Sequence, residues 1–392
     1  MMKKNLLILA LGFLMACSTG KESASTTAST MEPHIETVRQ QYAPDKRVAL
    51  FNVSQNGAVL TGETNIPAAK QELLQKLKAA NINYVDSIQV LPEATLEGRN
   101  YGVITISVAN LRSEPKHPAE LATQATMGTP VQVYKKKGGW YLVQTPDKYL
   151  AWVDASGVTL MDKAAFDEWQ QSPKLLYTKP YGFAHDKAAA TAGTVSDLVY
   201  GDVLALKNTS ANYFEVGFPD GRTGFVPAAD AVPYAAWLSS RKPDGNNLVA
   251  TSKQLLGLPY LWGGTSFKGV DCSGFTKTVY FMNGLVLPRD ASQQVNIGEL
   301  VNTANGWDNM QPGDLLFFGV PAKDGKSERV VHVGMWIGGN QEFIHSAGRV
   351  RISSMNPKAE NFDESELNRF LRAKRITPDD AVVDLRKTAL YQ

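Results

Sequence analysis

Apolar positions along this chain keep three different rhythms, and each rhythm marks a different stretch. At the start, Lys3-Lys4 precedes an unbroken apolar run over 6–15, followed by Ala16-Cys17-Ser18. Charge, a short apolar run and a small-residue cleavage site predict an export signal over 1–16, and the run is too short to span a membrane. Residues 17–31, rich in Ser, Thr and Ala, read as a flexible tether. Residues 47–53 and 58–63 then read as strands joined around Asn56-Gly57. Pro67 opens a helix carrying Ala69, Leu73, Leu74 and Leu77, and 84–91 returns as a strand. Together these predict a small α+β unit over 32–98, whose role is packing.

From 99 to 235 the pattern is of short β-runs punctuated by Gly, Pro and Asp. One constant offset lays Gly128 on Gly201, Val131 on Leu204, Val143 on Val216, Pro146-Asp147 on Pro219-Asp220 and Trp152-Val153 on Phe225-Val226. An internal repeat of this kind predicts two small β-barrels, 99–162 and 173–235, joined by a helical connector over 162–172 that carries Phe166 and Trp169. Beyond 246 the periods mix. A helix is expected over 248–256, ended by Gly257 and Pro259, and another over 273–282 with Phe275, Val279 and Met282 on one face. A strand over 315–318, a hairpin of 329–337 with 342–346, and a last strand near 370–376 complete a compact unit over 246–392. The fold class expected is therefore multidomain α+β.

Charge adds one exclusion. The 392 residues carry 40 basic and 38 acidic side chains with no basic block, so nucleic acid is not an expected partner. Cysteine usage adds more, because there are only two, Cys17 and Cys272. Cys17 lies at the end of the export signal, which leaves Cys272 without a partner for an intramolecular disulfide. Asp271 is a good N-cap, so Cys272 falls in the first turn of its helix, where orphan N–H groups and the helix dipole favour a thiolate. Such settings lower a thiol pKa from about 8.5 into a range of roughly 3.5–7.5.

Two of the five histidines fall in the hairpin. Alternation puts His332, Gly334 and Trp336 on one face and Val331, Val333, Met335 and Ile337 on the other. A turn over 338–341 pairs 338 with 341 and hence 334 with 345, placing His345 diagonal to His332 within reach of ring contact. This is the logic of a nucleophile, a base and an orienting group: Cys272, His332 and His345. No second Cys or carboxylate stands at ligand spacing beside them and H-E-x-x-H is absent from the sequence, so no metal is expected.

Tyr260-x-Trp262-Gly263-Gly264, Asp271-Cys272-Ser273-Gly274-Phe275, Pro288-Arg289-Asp290, Pro312-Gly313-Asp314-Leu315, His332-Val333-Gly334 and His345 follow one another in an order that resembles the NlpC family of bacterial cell-wall cysteine peptidases. Ala109-Asn110-Leu111-Arg112-Ser113-Glu114-Pro115 and Ala151-Trp152-Val153 resemble bacterial SH3-like domains. In the second copy the opening phrase is missing. Two such domains ahead of a catalytic domain look, more narrowly, like the γ-D-glutamyl-L-diamino-acid endopeptidases, also called dipeptidyl-peptidase VI.

The resemblance implies a papain-like fold and a triad of Cys272, His332 and His345, with Tyr260 helping the Cys272 amide to hold the oxyanion. It implies hydrolysis of the γ-D-Glu to diamino-acid bond in murein peptides, with no cofactor. In the narrower group Asp271 and Ser273 hold the free amine of the peptide's L-Ala, helped by a Glu and a Tyr of the first SH3-like domain. The candidates here are Glu120 and Tyr149, with Trp262, Asp290 and Ser292 also lining the pocket. Ala151 stands where that group has Gly, in the loop after Tyr149. Leu14-Met15-Ala16-Cys17 resembles a bacterial lipobox, which implies lipidation at Cys17 and a membrane-anchored protein facing the periplasm or cell envelope. Two other functions stay open at this point. One is an amidase or D,L-endopeptidase acting on intact peptidoglycan, with the SH3-like domains as wall anchors. The other is a wall-binding module with a degenerate catalytic domain.

Overall fold

The computed structural model describes residues 30–378 and 382–391. The export signal, Cys17 and the tether as far as residue 29 lie outside the described residues. Met31, counted above with the tether, is buried against Ile35 and Val38 of a helix, Glu32–Tyr42, that the apolar pattern did not announce. Its buried face is too narrow to show as a stripe. Phe51–Asn56 and Val59–Thr64 form the hairpin, with Asn56 opposite Val59. The helix Pro67–Ala79 buries Ala69, Leu73 and Leu77 and crosses over to the strand Val85–Val90, which runs parallel to Val59–Thr64.

The repeat is reproduced strand for strand. The first copy runs from Tyr101–Ile104 to Val158–Met161 and the second from Lys174–Tyr177 to Ala231–Pro233, each with seven strands. Numbered within a copy, both sheets have the order seventh, first, fourth, fifth, sixth, second, third. Neither order closes on itself, so the expected barrels are open sheets in their hydrogen bonding. Bulges such as that at Leu111/Arg112 bend them around separate cores, Leu111, Val133 and Val143 in one and Leu204, Val216 and Val226 in the other. The connector helix, Lys163–Gln171, is capped by the Asp162 side chain.

The C-terminal unit packs the helix Cys272–Phe281 on a six-stranded antiparallel sheet. Its order is Glu299–Val301, Phe370–Arg375, Leu315–Val320, Arg329–Gly338, Glu342–Ala347 and Arg349–Ser354. Phe275 and Val279 enter a core with Phe317, Val333, Met335 and Ile344. Burying such side chains contributes about 1.5–3 kcal/mol each, which fixes the helix to the strand that carries His332. The first SH3-like domain sits directly on the loop before that helix. Thr265 N–H donates to the buried Gln124 Oε1 at 3.0 Å, and a Cβ on Gly263 (φ +79) would lie 2.3 Å from the Leu121 carbonyl oxygen. Among the described residues no helix is long and apolar enough to cross a membrane.

Candidate active site

Asp271 caps the helix as expected: its Oδ1 accepts the Gly274 N–H at 2.7 Å, and its Oδ2 accepts the Gly263 N–H at 2.9 Å. Cys272 therefore opens the first helical turn, and its sulfur accepts N–H groups of Ser273 and of Val333, the residue after His332. The depressed thiol pKa expected of this position is not found. Burial, and next the Asp271 carboxylate, push the thiol up to about 11, outweighing the Val333 N–H and the Arg289 charge. Desolvation of the anion exceeds what the helix terminus returns.

The two histidines meet as the hairpin register required. Met335 pairs with Ile344, and a bulge between Trp336 and Gly338 sets Gly338 opposite Glu342 rather than opposite Gln341. His332 Nε2 and His345 Nδ1 lie 2.8 Å apart, with ring centroids at 5.1 Å. This leaves His332 Nδ1 outside the pair. Burial, then the Arg369 charge, lowers His332 to about 3, and burial, then His332, lowers His345 to about 2. Both rings are neutral at neutral pH, so Cys272 and His332 rest as thiol and imidazole.

A hydrogen-bond chain runs on from the pair. His345 Nε2 lies 3.1 Å from Ser353 Oγ, whose hydroxyl donates to Asp363 Oδ2 at 3.3 Å. With the proton of His332 on Nε2, each donor in the chain has an acceptor, ending on a carboxylate. Buried Glu366 stands beside it, its Oε1 3.7 Å from His332 Nε2 and ion-paired to Arg369. Of the described groups, His332, His345 and Glu366 have ligand-type atoms within 4.8 Å of one another. In this structure the facing histidine nitrogens bond to each other.

Arg289, which sequence reasoning gave no role, is 1% exposed and takes both oxygens of Asp271, at 3.1 and 2.5 Å, as well as Ser273 Oγ at 3.0 Å. Burial opposes its charge, yet the Asp271 carboxylate prevails and raises its pKa. Asp271 and Ser273, the candidate amine ligands, are thus held by this guanidinium. Tyr260 lies at the mouth of the site, its hydroxyl pushed up to about 12 by burial and then by Cys272 and Asp271, so it is a neutral donor there.

Around Cys272 opens a cleft of ≈ 630 Å³ whose walls come from three domains. The catalytic domain gives Tyr260, Trp262, Asp290 and Ser292, and the first SH3-like domain gives Glu120, Leu121 and Tyr149. Trp262 Nε1 donates to Glu120 Oε1 at 2.8 Å across the domain boundary. Tyr149 O–H donates to Asp290 Oδ2 at 3.1 Å, and burial, then Asp290, raise the phenol pKa so that it stays a donor. The N-terminal domain supplies Lys46 and Arg47, which no periodicity could single out.

Comparison with known proteins agrees with this architecture. Residues 257–364 match the NlpC/P60 family and residues 111–158 the bacterial dipeptidyl-peptidase SH3 domain. A γ-D-glutamyl-L-lysine dipeptidyl-peptidase of Bacillus cereus is 34% identical over 61% of this chain and 71% of its own length. One from Bacillus subtilis is 33% identical over 63% of this chain and 79% of its own. A crystal structure of an NlpC/P60 family protein from Bacillus cereus ATCC 10987 superposes with a TM-score of 0.60 at 28% identity, covering 71% of this chain and 100% of that one. A buried thiol at a helix start, a histidine pair beside it and a matching SH3-like wall place this chain in the NlpC/P60 family, as a cysteine peptidase of the cell wall.

Proposed function

We propose that the protein hydrolyses the γ-D-glutamyl to diamino-acid bond of free murein peptides that begin with an unblocked L-Ala. The observation that carries this reading is the wall that the first SH3-like domain builds beside Cys272, with the Glu120 carboxylate and the Tyr149 hydroxyl on it. Two similar proteins are γ-D-glutamyl-L-lysine dipeptidyl-peptidases, and residues 111–158 of this chain match the bacterial dipeptidyl-peptidase SH3 domain. Because Asp271 is neutralised by Arg289 and Asp290 by Arg47, Glu120 is the carboxylate of the cleft without a cation among the described residues, and an ammonium would meet it there. A cleft walled at that end favours a released peptide over one attached to a glycan strand. An amidase or D,L-endopeptidase on intact peptidoglycan would need it open.

The reaction follows from the neutral pair. As sulfur attacks the carbonyl carbon, the thiol proton passes to His332 Nδ1, and His345 accepts from the Nε2–H of the imidazolium that forms. First-turn amides and the Tyr260 hydroxyl stand at the oxyanion. The imidazolium returns its proton to the leaving amine, and water then cleaves the thioester with His332 again the base. The test is a defined L-Ala-γ-D-Glu-diamino-acid peptide, free and N-acetylated. Glu120 is exposed in the free protein, and an ion pair at such a site is typically worth up to about 1 kcal/mol, so acetylation should lower kcat/KM about fivefold or more. Glu120→Ala should do the same to the free peptide, and the two changes together should cost less than their product. Equal rates on both peptides would overturn the reading in favour of an open cleft.

We propose in addition that the mature chain is lipid-anchored at Cys17 on the envelope side of a bacterial membrane. The support is the Leu14-Met15-Ala16-Cys17 signature alone. Cys17→Ala should move the protein out of the membrane fraction, and a variant that still pellets with membranes would disprove the anchor.

A further inference from the structure

The N-terminal domain lies outside both matched family regions, yet its segment 45–48 is built into the cleft. The Arg47 carbonyl accepts Leu150 N–H at 2.7 Å and the Val48 carbonyl accepts Gln144 Nε2–H at 2.8 Å, so the segment is fastened to the first SH3-like domain. Asp45 takes Arg47 Nε and Nη2, each at 2.8 Å, and also accepts Gln293 Nε2–H at 2.8 Å. Arg47 Nη1 reaches Asp290 Oδ2 at 2.8 Å and Ser292 Oγ at 2.9 Å. A guanidinium has five N–H groups, and these four bonds leave one on Nη2.

The charges of the cleft then sort into pairs and remainders. Arg289 pairs with Asp271 and Arg47 with Asp290. Left over are Glu120, which accepts only from an indole, and Lys46, which has no ion pair or hydrogen bond with any described residue. One remaining anion and one remaining cation complement a ligand that carries an ammonium and a carboxylate. A γ-linked glutamyl residue has such a carboxylate, because the amide occupies its side-chain carboxyl and leaves the α-carboxyl free.

We propose that Lys46 and the free N–H of Arg47 form a carboxylate subsite, so that the N-terminal domain selects peptides whose γ-linked residue keeps its α-carboxylate. This rests on the substrate reading given above. The experiment compares the full-length protein on two otherwise identical L-Ala-γ-linked peptides, one with the α-carboxylate and one with the α-carboxamide. Wild type should prefer the carboxylate, and Lys46→Gln should shrink the ratio of the two kcat/KM values about fivefold, as expected for one partly exposed charge pair. Added salt should compress the wild-type ratio in the same direction. Calorimetric binding of the dipeptides L-Ala-γ-D-Glu and its α-amide to Cys272→Ala should show the same preference without turnover, and Lys46→Gln in that background should reduce it.

Cleavage of both peptides by wild type at equal rates would overturn the subsite and leave the peptidase reading standing. An unchanged ratio in Lys46→Gln would do so as well. Failure of wild type to cleave either peptide would instead overturn the substrate reading, and this inference with it.

Discussion

At the scale of single residues, Cys272 shows how two local rules compete. The helix terminus and two N–H donors favour a thiolate, whereas burial, followed by the Asp271 carboxylate, disfavours it, and disfavour wins. A raised thiol pKa together with a lowered His332 pKa means that the thiol keeps its proton at neutral pH while the imidazole lacks one. In the reaction proposed above, the proton moves as the sulfur meets the substrate carbonyl. Alkylation by iodoacetamide, which tracks the thiolate, should therefore be slow and nearly flat through neutral pH in the free enzyme. It should rise only above the ordinary thiol value of about 8.5. An inflection below about pH 7, absent in Cys272→Ser, would show a resting thiolate–imidazolium pair instead.

At the scale of elements, the chain between His345 and Asp363 carries a consequence that apolar periodicity hid. Arg349–Ser354 is the edge strand of the catalytic sheet, and pairing of His345 with Arg351 sets Ser353 diagonal to His345, as His332 is on the other side. That strand alternates Arg349, Arg351 and Ser353 with Val350 and Ile352, a legible strand pattern whose polar face gives no sign that Ser353 is buried. The hairpin before it was legible because Val333 and Met335 alternate with His332 and Gly334 over a buried face. Likewise Asp271 was legible as a cap, and the seven-strand repeat from its Gly and Pro-Asp landmarks. Arg289 and Arg47 were not, because Asp271 and Asp290, their partners in the cleft, are distant in sequence and no local pattern marks a guanidinium as part of a site. Ser353→Ala should lower kcat roughly five- to tenfold with KM nearly unchanged, the loss of one neutral hydrogen bond behind the orienting ring. His345→Ala should cost about 10²–10³-fold, leaving a measurable remnant. A Ser353→Ala enzyme with wild-type kcat would show that the chain beyond His345 plays no part in orienting it.

At the scale of the molecule, the catalytic unit and the first SH3-like domain meet through a polar seam with one ion pair largely withdrawn from solvent. Lys277, on the helix that begins with Cys272, reaches Asp147, whose other oxygen accepts from Thr145 Oγ1 at 2.6 Å in the turn that presents Tyr149. The helix that Cys272 opens and the turn that presents Tyr149 are therefore joined by two side chains. Burial lowers the Lys277 pKa against the pull of Asp147, so an ammonium left there without Asp147 would be strongly disfavoured. Breaking such a pair from one side typically costs about 3–5 kcal/mol, whereas replacing both members by apolar groups of similar volume is often close to neutral. Asp147→Ala should accordingly split one denaturation transition into two and raise KM more than it lowers kcat, since Tyr149 loses its anchor while Cys272 and His332 do not. The double variant Asp147→Leu, Lys277→Met should restore the single transition and recover KM only in part, because the turn regains packing but not its hydrogen bonds. If Asp147→Ala keeps both the single transition and the wild-type KM, the seam is dispensable, and the SH3-like wall is held by the Gln124 contacts with Thr265 and Ser266 instead.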